Sequence, residues 1–144
     1  MNDKFEHEVM KTVFFYGLFM DPSLLREMGL HPMDVRIASL QGYQLRIGER
    51  ATLIDIPRSR AYGTVMTLHQ DELAALYAGR GVEDYVPIEV EVQLRNGNCL
   101  VAVSYVLPKI LLAGSNSEYA KKLAAVARDL GLGDDYVAEI EAWV

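Results

Sequence analysis

The chain has 144 residues, enough for one domain with a substantial core that needs neither a metal nor a disulfide. Its formal net charge of −6 argues against nucleic acid as a partner, because phosphate binding needs a basic face. The sequence contains no run of about 18 apolar residues, so no membrane span is predicted. The polar N-terminal residues lack the apolar core of a signal peptide. The single Cys99 has no partner for an internal disulfide, which favours a reducing, cytoplasmic location.

The N-terminal part predicts a loose tail over residues 1–10, followed by one domain over residues 11–144. The apolar run from Val13 to Tyr16 predicts a buried strand that ends in a turn at Gly17. Pro22 is suited to open a short helix directly after this turn. Unpaired backbone N–H groups at such a corner can hold a carboxylate or a developing oxyanion.

The middle of the chain predicts a series of half-buried strands. Residues alternate between apolar and polar in Tyr43–Ile47 and again in Ala51–Ile56, where Pro57 is expected to end the strand. Ala61–Leu68 is a third predicted strand of this series. His69 stands at the following corner and is expected to cap a helix.

A hairpin is the strongest prediction in the second half of the chain. Apolar and polar residues alternate strictly from Val86 to Leu94, which indicates one core face and one solvated face. Asn96–Gly97 supplies a left-handed turn, and the return strand runs from Leu100 to Tyr105. A strand as regular as the first one can also be covered at a subunit contact, which leaves a homodimer open.

The last third of the chain is predicted to be helical. Ser115 and Glu118 have the spacing of a capping box, and apolar residues recur at helical intervals over Tyr119–Leu130. Gly131 can end this helix in the left-handed conformation, and Asp134 can cap a second helix.

About six strands with few helices between them predict a single α+β domain, with an antiparallel or mixed sheet curled into a barrel. The three histidines share no ligand spacing with Cys99 or with paired acids, so no metal site is expected.

Four sequence blocks follow one another in an order that is known from one protein family. They are Tyr16–Gly17 after an aromatic strand; Ala61–Leu68 before an acidic helix; Gly81–Val82 leading to Tyr85–Val92; and Asn116–Tyr119 before a helix. From about residue 12 to the C-terminus this ordered set resembles the gamma-glutamylcyclotransferase-like group, which includes the AIG2-like proteins.

The resemblance implies a cofactor-independent enzyme that cyclises a γ-glutamyl amine to 5-oxoproline and releases the amine. A small-molecule γ-glutamyl or carboxylate ligand is then the expected partner. The residues expected to bind it are Tyr16, Gly17, Leu18, Phe19, Met20, Arg80, Tyr85 and Tyr119. Leu18 departs from the family pattern, because it stands where relatives carry a small hydroxyl residue.

The second departure concerns the proton carrier. Where relatives have a glutamate, counting back from Tyr85 gives Arg80, which stays protonated and cannot act as a base. Glu83 is the predicted replacement as catalytic acid and base, and Asp84 is a weaker candidate.

Two alternatives remain beside the enzyme. In the first, the protein is a non-catalytic member that grips a carboxylate or an amino-acid-like ligand through Arg80. In the second, it is a scaffold whose pocket is closed by Leu18 and Phe19.

Overall fold

The computed structural model describes residues 9–144. Its strands are β1 (Met10–Phe15), β2 (Met33–Ile47), β3 (Ala51–His69), β4 (Val86–Leu94) and β5 (Cys99–Val106). Its α-helices are α1 (Pro22–Glu27), α2 (Gln70–Tyr77), α3 (Ser117–Leu130) and α4 (Asp134–Glu141), with short 3-10 turns at Leu18–Met20 and Lys109–Leu111. The predicted N-terminal tail falls mainly on residues 1–8, outside the described part of the chain, and β1 already begins at Met10.

The strands close a barrel in the order β1-β3-β2-β4-β5. Neighbouring strands are antiparallel, except that β1 and β5 meet in parallel at Val13 and Val103. The predicted mixed barrel of an α+β domain is therefore confirmed, with five strands in place of about six. The predicted β4–β5 hairpin is also confirmed, from Val86 opposite Val106 to Gln93 opposite Cys99.

The strand count differs because β3 is continuous through Pro57, where a break was predicted. The pairing of β2 with β3 shifts register here, from Gln41 opposite Arg60 to Tyr43 opposite Asp55. Proline cannot donate a ladder hydrogen bond, but a bulge requires none at that position. Arg58, beside it, takes a left-handed φ of 71°. Two predicted strands are thus one bent strand.

The core fills the barrel and the space beneath α3 and α4. Val13 and Phe14 of β1 are almost fully buried, as are Leu123 of α3 and Ile140 of α4. In the helices, burial follows the period of about 3.6 residues, whereas consecutive residues of β1 are buried because both faces of this strand are covered. No helix among residues 9–144 is long and apolar enough to cross a membrane.

The start of α3 corrects one prediction. Asn116 is the cap, with its Oδ1 accepting from the Tyr119 backbone N–H at 3.0 Å, so the predicted Ser115–Glu118 capping box is wrong. Asparagine is as good a cap as serine, and the register of the helix selects the residue that stands next to its first turn. The predicted end at Gly131 is confirmed, with φ of 74°. Asp134 is the first residue of α4 and does not cap it.

Candidate functional site

A cavity of about 280 Å³ opens at one end of the barrel. Four segments meet there: the turn after β1, the β2–β3 turn, the loop after α2, and the first turn of α3. The cavity is lined by Phe15, Tyr16, Gly17, Leu18, Phe19, Leu24, Glu49, Arg50, Ala51, Tyr77, Arg80, Gly81, Val82, Tyr85 and Tyr119. Within residues 9–144 no group of three His, Cys, Asp or Glu side chains is placed to hold a metal ion.

The turn after β1 is closed by its own backbone and by Tyr119. The Met20 amide donates to the Gly17 carbonyl at 2.9 Å, and the Leu18 amide donates to the Tyr119 hydroxyl at 3.2 Å. A Cβ at position 17 would lie 2.5 Å from that hydroxyl oxygen. The φ of Gly17 is −104°, which any residue can adopt. Glycine is therefore favoured here because a side chain would meet Tyr119, and not because of its backbone conformation.

Two amides of this turn remain available to a ligand. The backbone N–H groups of Gly17 and Phe19 donate to no other group within the described residues, and both residues line the cavity. A buried amide without a partner is costly, so such groups favour an acceptor from a ligand or water. An oxyanion is the acceptor that gains most from such donors.

Tyrosines form the cavity wall and the layer behind it. The rings of Tyr77 and Tyr105 are stacked with centroids 4.0 Å apart, and the Tyr16 hydroxyl donates to the Tyr105 carbonyl at 2.7 Å. The Tyr85 hydroxyl donates to the carbonyl of Ala51, the first residue of β3 after the β2–β3 turn. With the Leu18–Tyr119 bond, all four tyrosines that line the cavity are thus fixed by a hydrogen bond or by stacking before any ligand arrives.

These phenols are neutral at physiological pH. Burial raises the pKa of Tyr119 to about 12, although the Leu18 amide bonded to its hydroxyl acts in the opposite direction. Burial, followed by neighbouring phenols, raises the pKa of Tyr16 and of Tyr77 above the ordinary value. A phenol whose pKa is raised stays protonated at neutral pH, so the wall can donate hydrogen bonds but offers no phenolate to accept a proton.

An arginine joins the two loops at the cavity mouth. Arg50 donates to the Asp84 carboxylate at 3.0 Å and to the Gly81 carbonyl at 3.4 Å, while its side chain is 30% exposed. These bonds, together with the Tyr85–Ala51 bond, hold the loop after α2 against the β2–β3 turn.

Most of the residues predicted from the sequence do meet in this cavity. Seven of them line it, namely Tyr16, Gly17, Leu18, Phe19, Arg80, Tyr85 and Tyr119. Met20 does not, because it is fully buried beneath the turn, with its carbonyl accepting from Thr64 at 2.8 Å. Glu83 is exposed and is not among the lining residues.

Glu49 and Arg50 are the charged lining residues that sequence reasoning missed. Both lie in the β2–β3 turn, which docks on the segment before α3 through the Glu49 amide and the Ala113 carbonyl at 2.7 Å. A Cβ at Gly48 would lie 2.4 Å from that carbonyl, so this close approach depends on glycine. The only signal in the sequence is a charged pair after a glycine between two strands, which is also typical of an ordinary solvated turn.

The fold and the cavity together define a small α+β barrel protein with a tyrosine-walled cavity beside a glycine turn. A family model described as the AIG2-like family matches residues 60–140, more than half of the chain. The chain belongs to this AIG2-like family.

The similar proteins of known name agree with this assignment. A gamma-glutamylcyclotransferase of Mus musculus is 27% identical over 120 residues, and one of Bos taurus is 25% identical over 120 residues. Each alignment covers 74% of this chain, which spans only 64% of the length of these relatives. A solved structure of a gamma-glutamyl cyclotransferase has a TM-score of 0.75 at 22% identity, covering 94% of this chain and 89% of that one. At that identity the structural likeness establishes the fold alone.

Proposed function

We propose that the protein catalyses intramolecular cyclisation of a γ-glutamyl amine, releasing 5-oxoproline and the amine. The observation that carries this proposal is the Tyr16–Phe19 turn, in which two residues whose amides have no partner in the described chain line a cavity bounded by neutral tyrosines. Membership of the AIG2-like family and similarity to proteins named gamma-glutamylcyclotransferase support the same reaction.

The reaction makes few chemical demands on the protein. The α-amine of the γ-glutamyl group attacks its own γ-carbonyl carbon, so the protein must hold the chain folded. The carbonyl oxygen then becomes an oxyanion, and the amides of the lining residues Gly17 and Phe19 are the donors that we propose for it. One group must also carry protons from the attacking nitrogen to the leaving nitrogen. The neutral tyrosines cannot serve as this base.

Arg80 gives the cavity a preference among substrates. Arg80 is one of the lining residues, and its guanidinium makes neither an ion pair nor a hydrogen bond to the rest of residues 9–144. A free guanidinium favours a carboxylate. We therefore expect γ-glutamyl-alanine to be a better substrate than γ-glutamyl-ethylamine, which lacks the carboxylate on its leaving amine.

The experiment is a 5-oxoproline release assay with these two compounds, run on wild type and on Arg80→Gln. Wild type should prefer γ-glutamyl-alanine, and Arg80→Gln should reduce that preference by about tenfold while ethylamine release is unchanged. No release from either compound by folded wild-type protein would contradict the proposal.

A second candidate function rests on the same Arg80. Because the position expected for the proton carrier is an arginine, the cavity can bind a carboxylate ligand without turning it over. Tight binding of γ-glutamyl-alanine, recovered intact after long incubation, would favour this candidate over the enzyme.

A further inference from the structure

We propose that Glu49 is the proton carrier of this site and the partner of the substrate's α-ammonium group. The inference rests on the proposed cyclisation, and it assigns to the β2–β3 turn a role that the resemblance placed on the loop after α2. Glu49 is the one carboxylate among the residues that line the cavity.

The other acidic candidates are badly placed. Glu49 and Glu83 are both exposed, but only Glu49 belongs to the cavity lining. Asp84 is also outside it, and its carboxylate is paired with Arg50 at 3.0 Å. A carboxylate committed to a guanidinium would have to break that pair before it could accept a proton. Glu49, in contrast, forms neither an ion pair nor a side-chain hydrogen bond with the other described residues.

The backbone of Glu49 is fixed from two sides. Its amide donates to the Ala113 carbonyl at 2.7 Å, and its carbonyl accepts from Asn116 Nδ2 at 3.2 Å. The other end of the Asn116 side chain accepts from the Tyr119 amide at 3.0 Å. One side chain therefore sets the position of the Glu49 backbone and of the helical turn that carries Tyr119. Asn116 thus holds both the backbone that carries the Glu49 carboxylate and the turn that makes the Leu18–Tyr119 contact.

The side chain of Glu49 also has a defined neighbour. Gly114 leaves room for it, since a Cβ at position 114 would lie 2.8 Å from Glu49 Cγ. Gly114 has a left-handed φ of 73°, so glycine suits this position for its conformation as well as for its size. The Glu49 stem thus rests on the glycine of a turn that is itself bonded to the β2–β3 turn.

The step that Glu49 performs is a proton transfer with no net change in its own charge. Its carboxylate takes a proton from the α-ammonium, and the freed lone pair forms the new C–N bond at the γ-carbonyl carbon. As the tetrahedral centre collapses, the bond to the leaving nitrogen breaks. The two protons that the attacking nitrogen loses both reach the leaving nitrogen through Glu49, giving 5-oxoproline and an ammonium product. The reaction consumes neither water nor an oxidant.

The test compares Glu49→Gln and Glu83→Gln with Glu91→Gln, a matched control on the solvated face of β4. We expect Glu49→Gln to lower kcat for 5-oxoproline release by ~10²-fold or more, while the other two variants stay within about twofold of wild type. A fall of the same size in Glu83→Gln with Glu49→Gln unaffected would overturn the assignment.

A binding measurement keeps this inference separate from the proposed function. L-glutamate and glutarate differ only by the α-amino group, and neither is a cyclisation substrate with an amine to release. By calorimetry, wild type should bind L-glutamate at least about tenfold more tightly than glutarate. Glu49→Gln should abolish this difference without lowering the affinity for glutarate. An inactive wild type with this pattern contradicts the enzyme but supports the ammonium contact. Equal binding of the two ligands by wild type, or a difference that survives in Glu49→Gln, would overturn the role of Glu49.

Discussion

The two loops that face each other across the cavity differ in how they are held. The turn after β1 is a continuation of the buried core: Tyr16 is 5% exposed, Met20 is fully buried, and Tyr119 bonds to its backbone. The loop after α2 is largely exposed, and its attachment depends on Arg50 and Tyr85 reaching the β2–β3 turn.

Because of this difference, the turn after β1 and the loop after α2 are suited to different roles. A turn fixed by core packing can keep backbone amides in place for a developing charge, which is what preorganised stabilisation requires. An exposed loop held by a few polar contacts can carry residues that choose among ligands, as Arg80 is placed to do. Changes in the first loop should damage the chemistry, and changes in the second should shift ligand preference.

The largest effect is expected from Gly17→Ala. The new Cβ would meet the Tyr119 hydroxyl oxygen at 2.5 Å, so the tyrosine must move and the Leu18 amide loses its acceptor. We expect kcat/KM to fall by ~10²-fold and the free energy of unfolding to fall by about 1–3 kcal/mol. Urea denaturation and the 5-oxoproline assay measure both.

The control for this variant is Gly79→Ala in the other loop. A Cβ there meets Leu76 O at 3.5 Å and Val82 Cγ2 at 3.8 Å, both ordinary contacts, so stability should change by less than about 0.5 kcal/mol. Equal losses from the two alanines would show that the contrast between the loops is wrong.

Tyr119→Phe should have the next largest effect. It removes the acceptor of the Leu18 amide and should cost about 1 kcal/mol in unfolding free energy. It also removes the oxygen that Gly17→Ala would strike, and the next ring atom is 3.8 Å from the new Cβ. In a double-mutant cycle, the alanine should therefore cost much less in the Tyr119→Phe background. Strict additivity would contradict the steric explanation.

Alkaline pH should destabilise the tyrosine wall. The folded state raises the pKa of Tyr119 to about 12, and burial also raises the pKa of Tyr16, Tyr77 and Tyr85. A raised pKa stabilises the fold fully below the unfolded value of about 10, and this stabilisation is lost as pH rises through the folded pKa. The free energy of unfolding should fall between about pH 10 and pH 12, with a smaller fall in Tyr119→Phe. A flat profile for wild type would contradict the burial of these phenols.

The smallest effect on stability is expected from Arg50→Gln. Its ion pair with Asp84 is partly exposed on both sides, so its loss should cost less than about 1 kcal/mol. The loop after α2 would nevertheless lose its bonds to the β2–β3 turn, so KM should rise more than kcat falls. A loss confined to kcat would instead place Arg50 at the reacting atoms.

The sequence predicted what depends on local patterns. The β4–β5 hairpin, the proline-opened helix at Pro22 and the glycine end of α3 at Gly131 are all confirmed, since each is encoded within a few neighbouring residues. The resemblance located the cavity, because most of its predicted residues stand on elements whose order the family pattern preserves.

The remaining errors come from contacts that a sequence does not display. Pro57 was expected to end a strand, but it lies in a bulge of β3 that lets the strand continue. Glu49 was missed because only the docking of the β2–β3 turn on Ala113 and Asn116 brings it to the cavity. The choice of Glu83 rested on its nearness to the expected position in the sequence; in the structure it is exposed and outside the cavity lining.

The most direct test of the whole account is where an amino-acid-like ligand binds. A second, more polar depression of about 700 Å³ lies on another face, lined by residues that include Arg58, Asp135 and Tyr136. Titration of isotope-labelled protein with L-glutamate, followed through backbone amide NMR shifts, distinguishes the two places. The account predicts the largest shifts at Gly17, Phe19 and Glu49. Shifts confined to residues of the second depression would contradict it.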